Sequence, residues 1–352
     1  MHYTMRGRVA IAMSTATIRP AVTVVLPTYN RAGFLSGAFE SLAAQTFTDW
    51  ELVIVDDGST DGTREGIDDY LRSHDRVRYV YQANRGAYAA RNRGVDEATG
   101  TYLAFFDSDD LWLPHHLERC VGALAGHPEI DWVFGACRQV DRATGVVLDP
   151  NTSYINGQPR PFLSLKADVS DGLHIITDPA VLECQISHGL YCGLQNSVMK
   201  RRLFEGRRFN DRFRVVEDEL FVIRVLAAGA RFAYFIDPHV IYQVHSENSS
   251  ASATSSSLAK HVEIYSELTV GIEQLLSELT LSPRERRGLL KRLGREYFWH
   301  LGYVGFWQAG RRLEALDMYR RGLAVWPWHP GAWKTYLLAR LRVALQSEGH
   351  SG

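Results

Sequence analysis

The sequence predicts an α/β protein: a mostly parallel central sheet with flanking helices, followed by a C-terminal region of helices alone. Three observations carry this. Short β-branched apolar runs alternate with helical periodicity between residues 22 and 106. Acidic clusters stand directly after two of those runs. From Leu258 onward only helical periodicity remains. Alternation at this spacing builds right-handed βαβ units, whose ligands sit beyond the carboxyl ends of the strands.

Taken in order, residues 22–27 form a β-branched apolar run closed by Pro27, which suits a buried strand. Residues 33–45 place Phe34, Leu35, Ala38, Phe39 and Leu42 on one helical face. A second strand, 51–55, runs into Asp56-Asp57-Gly58-Ser59-Thr60-Asp61-Gly62, followed by a helix to Ser73 and a strand at 77–81. After Asn84-Arg85-Gly86 a helix spans 89–98, and a strand at 101–106 ends on Asp107-Ser108-Asp109-Asp110 before a helix at 111–123. The stretch 138–190 reads as loop-rich, with Pro150, Pro159 and Pro161. A helix is expected at 217–228 and two strands at 232–236 and 240–244. Residues 246–257, rich in Ser and Ala, read as a connector. The expected organisation is an N-terminal extension (1–20), a main domain (21–250) and a helical region (258–352). Within the last, residues 314–333 resemble one tetratricopeptide-like unit, which alone makes no array.

The chain has 352 residues, enough for one large domain or two ordinary ones. Lys and Arg number 39 and Asp and Glu 40, for a net charge of -1, so a general electrostatic grip on nucleic acid is not expected. That sum conceals an asymmetry. Residues 1–20 carry +3, residues 283–352 carry +8, and the body between carries -12. Four cysteines without a CxxC pair suggest a reducing compartment rather than a disulfide framework. No apolar run approaches a membrane span, and the N-terminus makes a poor signal peptide, so a cytoplasmic protein is expected.

The chemistry is expected at the strand ends. In an extended segment Asp107 and Asp109 point the same way. They either cap the next helix or hold a hard divalent cation between them. Asp56 and Asp57 either build a turn or accept from a nucleobase or ribose. Pro27 and Tyr29 offer a neighbouring wall, and Arg85 and Arg91 offer cations for a diphosphate. Glu217-Asp218-Glu219 reads either as an acidic first helical turn or as the seat of a base. His245 follows a strand, and residues 187–197 bring Tyr191, Gln195 and Asn196, which suit sugar stacking and hydrogen bonding.

Each signal is weak alone, but their order is specific. Val24 to Asn30, Ser41 to Thr46, Glu51 to Thr63, Asn84-Arg85-Gly86, Ala90 to Gly94 and Asp107 to Asp110 together make the chain resemble the family-2 glycosyltransferases, densely over 21–125 and more loosely to about 250. The resemblance implies the GT-A fold and an inverting transferase that moves a sugar from a nucleotide-diphosphate sugar, UDP being commonest, to a hydroxyl of a glycan or lipid-linked acceptor. It implies nucleotide-sugar binding in 21–125 and the acceptor and catalytic part in 126–250, and Mg²⁺ or Mn²⁺ at Asp107, Asp109 and Asp110, Asp109 foremost as the direct ligand, with His245 nearby. Pro27, Tyr29, Asp56, Asp57, Arg85, Arg91 and Ser108 would lie around the nucleotide sugar. Asp218 would be the catalytic base, with Glu217 beside it on the acceptor side. The family's usual Arg before the late His is Gln243 here. A nucleotidyltransferase would need a Gly-rich phosphate loop where Pro27-Thr28-Tyr29-Asn30 stands. A non-catalytic scaffold would be expected to lose Asp109 or Asp218, and both are present. The tail carries five of the eight Trp among its basic residues. It reads either as a bundle packed on the main domain or as a peripheral contact with the cytoplasmic face of a membrane.

Overall fold

A computed structural model describes residues 20–246, 248 and 257–348. The expected N-terminal extension and most of the Ser-rich connector therefore lie outside the described residues. In chain order the elements are β1 (Val22–Thr28), α1 (Leu35–Ala43), β2 (Trp50–Asp56), α2 (Thr63–Ser73), β3 (Val77–Tyr81), α3 (Ala87–Glu97), β4 (Tyr102–Phe105), β5 (Leu111–Trp112), α4 (His116–Gly126), β6 (Trp132–Asp141) and β7 (Val147–Asp149). There follow β8 (Tyr154–Ile155), β9 (Gln158–Pro159), β10 (Ala167–Ser170), β11 (Leu173–Ile176), α5 (Val181–Ser187), β12 (Ser197–Lys200), α6 (Glu217–Ala227) and β13 (Phe232–Val244). The tail holds α7 (Leu258–Glu278), α8 (Pro283–Arg295), a π-helical stretch (Glu296–Trp307), α9 (Arg312–Val325) and α10 (Pro330–Glu348).

The main sheet runs β10-β11-β13-β6-β12-β4-β1-β2-β3, with β5 beside β13 and β7 beside β6. β1 pairs in parallel with β2 and β4, and β2 with β3. This is the expected α/β arrangement. β1 and β2 are apolar on both faces because helices cover both sides of a parallel sheet. α3 lies close on β1 because residue 94 is glycine: a Cβ there would stand 2.2 Å from Val25 Cγ1. β12 enters antiparallel between β4 and β6, so the sheet changes direction beside the ends of β1 and β4.

Three expectations change. The stretch 138–190 is not mainly loop: it holds the end of β6, strands β7 to β11 and helix α5. Strands of two to four residues are too short to show periodicity, and β10 is largely exposed. The two strands expected at 232–236 and 240–244 are one, β13, whose pairing with β6 shifts around Pro238. A β-bulge absorbs the residues that read as a break. The helix expected from Leu111 starts at His116, because Leu111–Trp112 pairs with β13 and Pro114 intervenes.

The tail does not stand apart. Leu268 and Ile272 of α7, Leu289 and Leu293 of α8, and Tyr319 and Leu323 of α9 share one apolar cluster with Leu220, Phe221 and Trp132. Trp299 and Trp307 pack against that cluster, whereas Trp328 is 79% exposed. Burial of this kind contributes roughly 1.5–3 kcal/mol per large side chain, so the helices are held to the main domain over a broad face. No helix among the described residues is long and apolar enough to cross a membrane.

Candidate active site

The loops after β1, β2 and β4 converge. Asn30 adopts a left-handed φ of 51°, accepts from the Thr60 amide at its side-chain oxygen and donates its own amide to Ser59 Oγ, which ties the first loop to the second. Tyr29 remains about half exposed beside them, next to Pro27. The two carboxylates after β2 are spent on the chain itself. Asp56 accepts from the Ser59 amide at 2.8 Å and the Tyr79 hydroxyl at 2.6 Å. Asp57 accepts from Gln82 Nε2 and from the amides of Arg85 and Gly86 at 2.7–2.9 Å. Both are almost fully buried and hold the loops after β2 and β3; a carboxylate has about four acceptor sites, and Asp57 uses three.

The cations expected near a diphosphate are arranged differently from each other. Arg85 is exposed and pairs with Asp211 at 2.8 Å. Arg91 is mostly buried, pairs with Asp107 at 2.7 Å, and lies over the Tyr88 ring.

The acidic loop is sorted by its partners. Asp107 faces Arg91. Ser108 is buried. Asp109 lies 3.2 Å from His245 Nε2, and its carbonyl accepts from Gln243 Nε2 at 2.7 Å. Asp110 is buried and accepts from the Gln243 amide. Burial, with the charges of Asp107 and Asp109, pushes the Asp110 carboxyl well up; burial and Asp107 also push Asp109 up. The expected four-residue metal set is thus not gathered as one cluster. Asp109 and His245 meet, Asp107 is engaged by Arg91, and Asp110 is turned toward the β13 backbone.

Asp218 stands in the first turn of α6, where the helix dipole favours an anion. Its Oδ1 accepts from the Glu219 amide at 2.9 Å and lies 3.3 Å from the Tyr88 hydroxyl. Burial raises its carboxyl above the ordinary value. Glu217 is fully buried against Arg224 at 2.6 Å, and burial pushes it up to about 7, which leaves it a structural role. Glu219 pairs with Arg292 of α8 at 2.6 Å.

A cavity of about 560 Å³ joins these parts. Asp218, Glu219, His245, Asn248, Tyr191 and Gln195 line it, together with Arg292 and Arg295 of the tail. Tyr191 is half exposed with Arg160 over its ring at 3.6 Å. Gln195 also lines the cavity, whereas Asn196, though on its edge, spends its amide on the carbonyls of Gly135 and Tyr191.

Five contributors were not singled out from the sequence. Tyr88 touches Asp218, Phe34 packs on His245 at 4.9 Å between ring centroids, Asn248 bonds to His245 and to the Gln243 carbonyl, and Arg292 and Arg295 come from the tail. Gln243 was seen only as a departure, yet its side chain holds the Asp109 carbonyl.

Residues 23–170 match the sequence profile described as Glycosyl transferase family 2. Among curated relatives, the putative teichuronic acid biosynthesis glycosyltransferase TuaG of Bacillus subtilis is 41% identical over 102 residues, 29% of this chain and 40% of that protein. Chondroitin synthase of Escherichia coli is 32% identical over 145 residues, 41% of this chain and 21% of the relative. The putative glycosyltransferase EpsH of Bacillus subtilis is 28% identical over 64% of this chain and 61% of its own length. The chain thus spans well under two thirds of the first curated relatives it matches. Among solved structures, TarS 1–349 of S. aureus has a TM-score of 0.59 at 18% identity, covering 86% of this chain and 82% of that one. The mannosyltransferase PcManGT of Pyrobaculum calidifontis, in complex with GDP-Man and Mn²⁺, has a TM-score of 0.53 at 21% identity, covering 92% and 86%. At these identities the likeness is one of fold.

Proposed function

We propose that this chain, whose residues 23–170 match the Glycosyl transferase family 2 profile, is an inverting glycosyltransferase of the GT-A fold moving a sugar from a nucleotide-diphosphate sugar to a hydroxyl of a glycan or lipid-linked acceptor. One observation carries the reading: Asp218 and His245 face the same cavity, and His245 is in contact with Asp109 at the end of β4. A candidate base and a group in contact with the acidic loop thereby line one space.

The donor set at Asp109 fits a hard divalent cation, since a carboxylate oxygen and an imidazole nitrogen 3.2 Å apart can share one ion and leave positions for phosphate oxygens. Asp109 and His245 would hold Mg²⁺ or Mn²⁺, with Asp107 released from Arg91 as a further ligand. When bound, the ion supplies Lewis-acid stabilisation of the leaving diphosphate. Arg91, beside Asp107, adds fixed positive charge on that side. Tyr29 and Pro27 offer a wall for the base, and Asp57 holds the Arg85-Gly86 turn that borders it.

Asp218 takes the proton from the acceptor hydroxyl as that oxygen attacks the anomeric carbon from the face opposite the diphosphate. Tyr88 fixes the carboxylate, and the α6 N-terminus supports its ionised form. A single displacement inverts the anomeric centre. Tyr191 and Gln195 line the space left for the acceptor.

A thermal-shift panel tests the donor class. With Mn²⁺ present, a UDP- or GDP-sugar at about one hundred times its Kd should stabilise the native chain by roughly 2.7 kcal/mol, seen as a rise of several degrees in Tm. If no nucleotide sugar raises Tm, the reading fails.

We also propose a peripheral membrane contact through α10. Leu337, Leu341 and Leu345 recur every fourth residue and are 56–60% exposed, flanked by Lys334, Arg340 and Arg342. An exposed apolar stripe edged by cations suits an anionic bilayer surface. The full chain should float with anionic vesicles and not with zwitterionic ones, and the Leu337→Ser, Leu341→Ser double variant should stay at the bottom. Absence of the wild type from the anionic vesicle fraction overturns the proposal.

A further inference from the structure

Behind the acidic loop lies a second group of side chains that the transfer reaction does not use. His116 and Cys120 are one turn apart on α4, and His239 is the residue left over by the bulge in β13, between the pairs Pro238–Ala136 and Val240–Cys137. All three are fully buried or nearly so. The His116 and His239 Nδ1 atoms are 3.2 Å apart, and Cys120 Sγ lies 3.8 Å from the first and 3.6 Å from the second. Among the described residues this is the group that brings three metal-ligating atoms within 4.8 Å of one another.

The triangle has the dimensions of a coordination sphere. An ion about 2.05 Å from nitrogen and about 2.3 Å from sulfur, at tetrahedral angles, separates N from N by about 3.3 Å and N from S by about 3.6 Å. Backbone features serve the same arrangement. The bulge turns His239 toward α4, and residue 135 beneath it is glycine: a Cβ there would stand 2.3 Å from His239 Cγ and 2.6 Å from its Cδ2. Trp112 packs on His116 and Phe235 stacks on His239, while the His115 ring stands edge-on to His239 and Arg119 lies over the Phe235 ring.

We propose that His116 Nδ1, Cys120 Sγ and His239 Nδ1 form a binding site for one thiophilic metal ion, Cu⁺ or Zn²⁺, separate from the hard-cation site at Asp109. Soft thiolate and imidazole donors select these ions over Mg²⁺ and Mn²⁺. On binding, the Cys120 thiol loses its proton to solvent and the sulfur lone pair forms the metal bond; both imidazoles bind through their neutral form, and no oxidant or reductant is consumed. Charge favours Cu⁺, because a monovalent ion and one thiolate bring no net charge into a buried place, whereas Zn²⁺ leaves one positive charge there. The ion would staple β13, which carries Gln243 and His245, to the helix that follows the acidic loop. Its effect is on the rigidity of the site rather than on the reaction itself.

The test uses the full chain, purified under reductant and stripped with chelator. It is titrated with Cu⁺ against a chromophoric Cu⁺ chelator, and in parallel with Co²⁺ as the spectroscopic stand-in for Zn²⁺. We expect one equivalent of Cu⁺ drawn from the chelator, or one equivalent of Co²⁺ giving a sulfur-to-metal charge-transfer band, with a higher Tm in either case. A tenfold excess of Mg²⁺ should leave the uptake unchanged. Cys120→Ala and His116→Gln should each abolish it while the metal-free proteins still respond to nucleotide sugar. X-ray absorption of the loaded wild type, counting one sulfur and two nitrogen neighbours, decides the matter if either variant fails to fold. A wild type that takes up neither ion, or a Cys120→Ala variant that takes up as much, overturns the site and leaves a hydrogen-bonded His-Cys-His cluster.

Discussion

Replacing Asp109 by alanine is expected to lower metal-dependent release of nucleotide diphosphate by at least about 10²–10³-fold, the usual cost of removing one group aimed at charge that develops in a transition state. Asp109 is the member of the acidic loop whose carboxylate meets a second ligating side chain, His245, at 3.2 Å. Asp107 already has Arg91, and Asp110 is buried against β13. Removal of the Asp109 carboxylate therefore takes away a charge that no neighbour replaces. The fold should survive, because the loop is held by the Asp109 carbonyl on Gln243 and by the Asp110 amide on the Asp107 carbonyl, neither of which uses that side chain. The measurement is diphosphate release against Mn²⁺ concentration, with Tm as the control for folding. An Asp109→Ala protein that melts like the wild type and releases diphosphate at the full rate removes the hard-cation site from the mechanism.

The strands β1, β2 and β4 were legible because each is a largely buried, mainly apolar run, the mark that a parallel sheet covered on both faces leaves in the sequence, whereas β3, at the sheet edge, is mostly half-buried and showed as a β-branched and aromatic run. The acidic motifs were legible because they close such runs. What the sequence did not disclose is which partner each carboxylate takes. Asp56 and Asp57 look like ligand groups in one dimension; in space Tyr79, Gln82 and three amides also bond to them. The resemblance puts Asp109 foremost among Asp107, Asp109 and Asp110, but no local pattern tells that Arg91, His245 and the Gln243 amide divide the three between them. The contribution of the tail was hidden for another reason. Arg292 lies 73 residues from its partner Glu219, and no local pattern records a pair at that distance. The same holds for Tyr88 and Asp218, 130 residues apart. Residues 138–190 were misread because their strands are two to four residues long and lie partly at the surface.

Changing Asp218 to asparagine is expected to lower kcat by about 10²–10⁴-fold, the range that a positioned general base supplies, while donor affinity stays near the wild-type value. The substitution is nearly isosteric. The amide oxygen still accepts from the Glu219 amide and still lies near the Tyr88 hydroxyl, so the α6 N-terminus and the cavity wall keep their shape. Lost is the capacity to take a proton. The pH profile separates this from a structural defect. Burial raises the Asp218 carboxyl above its ordinary 3.8, and a base works only when ionised. In the wild type kcat should therefore fall as pH drops through that raised value, at higher pH than a free aspartate would give. The asparagine variant should be slow throughout and show no such limb. Isothermal titration with the nucleotide sugar would report binding apart from turnover. A variant that binds donor normally but turns over at the wild-type rate with an unchanged acid limb would move the base elsewhere. Glu219, lining the same cavity but neutralised by Arg292, would be the next carboxylate to examine.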